Sequence, residues 1–419
     1  MERLAFLTED QVRHAQQHYD TPVFVYDQKT LERRAKEVLA FPNAFGLTAR
    51  YAMKACPTAA VIQVLHRAGL HIDASSGYEV RRAMKAGVPA GHIQLTAQQL
   101  PHDLKELVAL GVRFNACSLR QLEEYGKLFP GTEVSVRINP GLGSGHVNRT
   151  NVGGPSSSFG IWHEHLDQVL AIGAQHQLKL TRMHTHIGSG SDPEVWVRCA
   201  KLSLSIAARL PQVELLSLGG GMKVGRMQGE PSADLQKIGN DILPEFRAFA
   251  AEHGRKLHLE IEPGTYLAAN SGALVATIMD IVDTGANGNT FIKIDAGMTE
   301  VLRPSLYGAQ HPLVVVPTSD EDRPTRDYLV VGHCCESGDV LTPEPGNPEG
   351  LKHRTLTEAK IGDALVIEGA GAYCSGMASK NYNAFPECAE VLLSPTGEFT
   401  LIRKAQTLEQ VLQNEVLLP

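Results

Sequence analysis

No stretch of the 419-residue chain approaches the ~18 consecutive apolar residues that a membrane helix needs, so no helical span is expected. The N-terminus has acidic residues where a signal peptide would carry a basic start and a long apolar core. Basic residues are in deficit, 39 Lys and Arg against 46 Asp and Glu, for a net charge of −7. Without a basic stripe to release counterions, neither nucleic acid nor an anionic membrane surface is expected as a partner. Cysteine is scarce: seven residues, at positions 56, 117, 199, 334, 335, 374 and 388. An odd number at irregular spacing is no disulfide framework, and it reads as the reduced thiols of a cytoplasmic chain. Low-complexity segments and short internal repeats are missing too. What remains is an ordinary globular composition, 43% hydrophobic and 20% charged, on a chain long enough for one large domain and a smaller one.

Eight short β-rich segments punctuate the middle of the chain: 46–55, 71–76, 92–97, 113–118, 133–139, 180–189, 213–219 and 257–262. Amphipathic helical stretches such as 77–86 and 119–128 lie between them. Eight strands alternating with helices over roughly 250 residues predict a closed (β/α)8 TIM-like barrel, an α/β fold. From about Ile281 the texture changes to strands separated by turns, at 291–295, 328–332, 364–368 and 390–393, with little helix until 407–412. This predicts a second, all-β domain. The expected division is 28–285 for the barrel and 1–27 plus 286–419 for the β-rich domain. The segment 21–26 is expected to pair with the latter, and the Pro/Gly-rich stretch 342–350 to form a linker loop.

In such a barrel, functional side chains gather at the C-terminal ends of the strands. Those ends carry Lys54, Asp73, Asn139, His186, Ser189, Gly219–Gly221 and Glu262. Lys54, in YAMKA, closes an apolar strand; burial there disfavours its ammonium form and makes it a candidate amine for a Schiff base. It equally fits a packed stem with its head in water. Gly219–Gly221, after an apolar strand, suit close backbone approach to a phosphate, or simply a tight turn. His184 and His186 share a face, without further ligands at metal spacing, so packed or stacking roles are expected and no metal. Glu262, before Pro263-Gly264, is a carboxylate able to keep a pyridinium nitrogen protonated, or a helix cap.

Taken in order, YAMKA, HIDASSGYE, HIGSG, GGG, EPG, RPSLYG, CESGD and GAY resemble the barrel-type pyridoxal-phosphate decarboxylases that act on diaminopimelate, ornithine and arginine. The resemblance runs from about Pro22 to Leu412. It implies pyridoxal 5′-phosphate held on Lys54, with Asp73 and Glu79 near it and His186 stacked on its ring. It further implies Ser189, Gly219, Gly220, Gly221 and Tyr373 at the phosphate and Glu262 at the ring nitrogen. Arg303, Tyr307, Glu336 and Tyr373 would meet an amino-acid substrate. Cys335, the implied proton donor, and Glu336 would serve the partner's site in a homodimer.

Within the family, RINPGLGSGH, CESGD and NYNAFPECAEVLL resemble the diaminopimelate decarboxylases, and Glu336 stands where ornithine decarboxylases carry aspartate. Decarboxylation of meso-2,6-diaminopimelate to L-lysine is therefore expected. A decarboxylase of another diamino acid or amine conjugate, and an inactive cofactor-binding regulator, are the runner-up readings. Three positions depart from the family pattern: Thr265 replaces the arginine of EPGR, Ser158 replaces a lysine, and Lys380 is an extra residue before NYN.

Overall fold

Parallel strands joined by helices bury both of their faces, which requires the strands to be apolar nearly throughout. In the computed structural model, which describes residues 2–142, 153–186 and 190–419, eight such strands are present. They are Leu47–Ala52, His71–Ala74, Ile93–Leu95, Arg113–Ala116, Glu133–Asn139, Lys179–His184, Leu215–Ser217 and His258–Ile261. Each pairs in parallel with its neighbour, and pairing of the first with the eighth closes the barrel. All eight expected strands are there. Serine caps show how the chain turns from strand to helix: Ser76 and Ser118 accept from the backbone N–H of Glu79 and Gln121, starting Gly77–Lys85 and Leu119–Leu128.

The barrel interior is not purely aliphatic. Arg50 and Glu260 meet at 2.7 Å with both side chains fully buried, and Arg182 reaches the other Glu260 oxygen at 2.5 Å. Arg182 also donates to Gln94 at 2.9 Å, and Gln94 donates to Glu262 at 2.9 Å. A connected polar network thus runs inside the barrel from Arg50 to Glu262. Burial is the largest single influence on Glu260 and pushes its pKa up, but the charges of Arg50 and Arg182 together leave it below the ordinary value.

The chain divides into two units. One comprises Glu32–Val224 and Pro231–Leu267, which is the barrel; the other comprises Met1–Leu31, Gly225–Glu230 and Ala268–Pro419. The expected division at 285 falls too late. Gly272–Asp283 is a long strand that pairs with Val23–Asp27, Thr290–Ile294 and Ala364–Ile367, so it belongs to the second sheet. Val23–Asp27 lies between Gly272–Asp283 and Ala389–Leu393, which ties the N-terminal segment into that sheet as expected. The second unit is built on a β-sheet, with one N-terminal helix packed on it. Helix Glu9–His18, started by a capping box between Thr8 and Gln11, packs Val12 and Ala15 on a core of Val23, Val25, Val275, Val366 and Val391. The expected linker at 342–350 is ordered instead: Pro343–Glu344 and Asn347–Leu351 form a two-stranded hairpin.

Candidate active site

At the C-terminal ends of the barrel strands lies a cavity of about 890 Å³, lined by Lys54, Asp73, Arg137, His184, His186 and Glu262 among others. The YAMKA motif places its lysine there through local geometry. The chain leaves the first strand in one 3-10 turn, Met53–Ala55, burying Met53 and Ala55 and turning Lys54 outward. The lysine is exposed, so the desolvation expected from its apolar neighbours does not come from the protein alone. Gly264 accounts for the last letter of EPG: a Cβ there would stand 3.1 Å from both the Ala52 carbonyl and the Ala55 Cβ. Ala52 N–H donates to the Pro263 carbonyl at 3.2 Å. The segment carrying Glu262 is thereby fastened to the turn carrying Lys54.

Glu262 is buried and accepts three hydrogen bonds. Gln94 and Ser217 donate to Oε1 at 2.9 and 3.0 Å, and His184 Nε2 donates to Oε2 at 2.8 Å. Burial pushes this carboxyl up, but the charge and hydrogen bond of His184, together with the Ser217 hydrogen bond, outweigh it and hold Glu262 ionised. A carboxylate offers about four lone-pair positions, so three donors leave room for one more. Asp73 is equally buried and far less well supplied, with Gln94 Nε2 at 3.5 Å and an interaction with the Thr96 hydroxyl. Burial, and next the charge of Glu262, raise it to about 8, against the pull of Lys54. Of two neighbouring buried carboxyls, the better-bonded one keeps the charge and the other takes the proton.

That difference has a measurable consequence. A carboxyl whose pKa rises from 3.8 unfolded to about 8 folded binds a proton on folding between those values. Its contribution to stability is complete below pH ~4 and lost as pH rises through ~8. The unfolding temperature of cofactor-free protein should therefore fall less between pH 5 and pH 8 in Asp73→Asn than in the parent. Parallel curves from thermal scans at the two pH values would contradict the assignment.

His186 lies two residues past the end of the sixth strand; burial, and then the Arg137 and Lys54 charges, hold it well below its ordinary pKa, in the neutral form. Its Nδ1 is buried without a hydrogen-bond partner among the described residues. Gly219 has φ +71°, and a Cβ would stand 2.7 Å from the Thr185 carbonyl; at Gly220 one would stand 2.3 Å from the Glu262 carbonyl. These glycines therefore serve close backbone packing against Thr185 and Glu262, whatever else they bind. Glu79 caps its own helix, accepting from Ser75 N–H at 2.6 Å. Ser189 lies outside the described residues.

Residues on the second unit form their own arrangement. Cys335 and Glu336 are exposed on a loop that Asp339 pins from beneath, accepting from Met298 N–H at 2.7 Å and Cys334 N–H at 2.9 Å. Cys335 N–H donates to Asn383 Oδ1 at 2.8 Å. Asn381 and Asn383 both adopt positive φ, which asparagine tolerates better than most residues, so the NYN motif has a conformational reason. Arg303 and Tyr307 bound one short helix, and Tyr373 takes φ +57°.

Sequence reasoning missed Gln94, Ser217, His184 as the partner of Glu262, and Arg137. Arg137 lines the cavity 4.9 Å from the Phe159 ring centroid, with one buried Nη2 unpartnered among the described residues. Its signal was there: in EVSVRIN the polar residues Ser135, Arg137 and Asn139 alternate toward one face.

The family model described as "Pyridoxal-dependent decarboxylase, pyridoxal binding domain" matches residues 29–269. The diaminopimelate decarboxylase of Streptomyces coelicolor is 35% identical over 95% of this chain and 90% of its own length. A crystal structure of diaminopimelate decarboxylase superposes with TM-score 0.90 at 33% identity, covering 97% of this chain and 96% of that one. The Helicobacter pylori diaminopimelate decarboxylase complexed with L-lysine superposes with TM-score 0.82 at 27% identity, covering 96% of this chain and 98% of that one.

Proposed function

Because this chain belongs to the diaminopimelate decarboxylases of the pyridoxal-dependent decarboxylase family, we propose that it converts meso-2,6-diaminopimelate to L-lysine and carbon dioxide. The observation that carries the reading is one cavity holding a lysine amine and a carboxylate fixed by three donors. That pair fits pyridoxal 5′-phosphate: Lys54 suits its aldehyde, and the remaining acceptor position on Glu262 suits a protonated ring nitrogen. When bound, the cofactor supplies an electron sink for the carbon that loses its carboxylate.

The remaining work falls to the chain's own side chains. Glu262 keeps its negative charge through Gln94, Ser217 and His184, and so holds a proton opposite it without reorganising. His186, neutral and with Nδ1 unengaged among the described residues, offers a ring face for stacking. Asp73, Ser189, Gly219, Gly220, Gly221 and Tyr373 are assigned to cofactor binding on the motifs they occupy. Arg303 and Tyr307 are assigned to the substrate, Arg303 to the carboxylate that remains in lysine, and Glu336 to the ammonium beside it. The thiol of Cys335 returns a proton to the carbon that lost carbon dioxide.

The assignment of Cys335 and Glu336 includes a two-fold dimer in which each subunit's loop serves its partner's cavity; exposed reactive residues on a pinned loop support it. Mixing inactive Lys54→Ala chains with inactive Cys335→Ala chains should restore up to about a quarter of parent activity at random exchange. No recovery, with exchange demonstrated, would refute the shared site. The function itself is tested by carbon dioxide release from meso-diaminopimelate, lysine, ornithine and arginine. Release from diaminopimelate should exceed the others by at least about 100-fold, and equal rates would reject it.

A further inference from the structure

Arg226 follows the glycine triplet by a few residues in sequence but belongs, with 225–230, to the second unit. Its segment is closed by Glu230, whose Oε2 accepts from the backbone N–H of Arg226 at 2.9 Å and of Met227 at 3.3 Å. That carboxylate therefore holds the backbone, and the guanidinium is directed elsewhere. Arg226 Nε donates to the Gly369 carbonyl at 2.9 Å, while Nη2 is buried with no hydrogen-bond partner among the described residues.

Arg303 is built against the adjoining peptide. His311 Nδ1 donates to the Glu368 carbonyl at 2.9 Å, which makes Nε2 the acceptor, and Arg303 Nη1 donates to it at 2.9 Å. Burial, and then the charges of Arg303 and Arg226, keep His311 neutral, so it orients Arg303 without neutralising it. Two guanidinium groups are thus fixed through consecutive residues, Glu368 and Gly369. Among the described residues neither forms an ion pair with a carboxylate. Burial, and next the charge of Arg303, work against the charged form of Arg226. A guanidinium stays protonated regardless, so adjacent and partly buried cations favour an anion between them.

We propose that Arg226 and Arg303 form a two-guanidinium site for the substrate carboxylate retained in the product, making Arg226 a specificity-determining residue of the decarboxylation. The inference rests on the function proposed above. L-lysine keeps the carboxylate on the L-centre of meso-diaminopimelate, so the group to be recognised is present in substrate and product alike. Two forks gripping one carboxylate would supply the charge-assisted hydrogen bonds that a single arginine, with Nη1 already committed to His311, supplies only in part. Thr265, which has no cationic group, cannot share that task.

The test compares two ligands of the cofactor-loaded enzyme that differ only by this carboxylate: L-lysine and 1,5-diaminopentane, each titrated through the cofactor's absorbance. Arg226→Met keeps the apolar stem and removes the charge. It should weaken L-lysine binding about 30-fold and change diaminopentane binding less than threefold. Arg226→Lys should recover part of the loss, and Thr265→Ala should leave the ratio unchanged. Equal changes for both ligands, or none for either, would overturn the proposal. So would weaker cofactor binding with an unaltered ligand ratio, which would assign the guanidinium to the cofactor phosphate. If the parent releases no carbon dioxide from diaminopimelate yet shows the Arg226-dependent ratio, the functional reading fails while the carboxylate site stands.

Discussion

Lys54→Ala should reduce kcat/KM for meso-diaminopimelate by at least about 10⁴-fold, equivalent to roughly 5 kcal/mol of transition-state stabilisation. Lys54 is exposed in the cavity on a turn whose flanking residues are buried, so truncation removes the amine without opening a core void. The unfolding temperature of cofactor-free protein should therefore stay close to the parent's, which separates chemistry from folding. Borohydride treatment of loaded parent enzyme should fix the cofactor to the peptide containing Lys54, and the variant should carry no label. Attachment at another lysine, or a variant within tenfold of the parent, would remove Lys54 from the assignment.

Glu262→Gln should lower kcat by about 10² to 10³-fold with a much smaller change in KM. The carboxylate receives donors from Gln94, Ser217 and His184. An amide of the same shape brings its own N–H₂ into that set, so at least one donor loses its acceptor. The protein then also lacks the fixed negative charge needed opposite a protonated ring nitrogen. Leaving a buried donor unsatisfied costs about 1–3 kcal/mol, so a lower unfolding temperature should accompany the kinetic loss. Steady-state kinetics and a thermal scan on the same preparation check both. A variant with kcat within threefold of the parent would show that the charge is dispensable.

Arg137 and His184 show why part of this site stays hidden in a sequence read alone. An arginine in EVSVRIN reads as a strand residue with a charged tip, and only barrel closure turns that tip into the cavity beside Phe159. His184 shares a face with His186, which favours packing or stacking for both. The bond that defines it comes from Glu262, 78 residues further along the chain. Asp73 and Glu262 look alike as acids at strand ends. Their opposite proton affinities arise from how many donors each receives, and those donors come from other strands.

Local chemistry, by contrast, is legible wherever it depends on near neighbours along the chain. Apolar segments at regular spacing predict eight strands, and eight strands with helices between them have one economical closure, the barrel. YAMKA predicts a lysine at a strand end, and the Pro-Gly after Glu262 predicts the turn that fastens it there. Long-range pairing is what the sequence could not supply. Gly272–Asp283 reads as the tail of the barrel until its partners Val23–Asp27 and Ala364–Ile367 claim it for the second sheet. Arg226 gains its setting only in the fold, from Arg303 and the consecutive Glu368 and Gly369 carbonyls. A strand's period and a turn's glycine are set by residues within a few positions, whereas charge, protonation and pairing depend on groups that only the folded chain brings together.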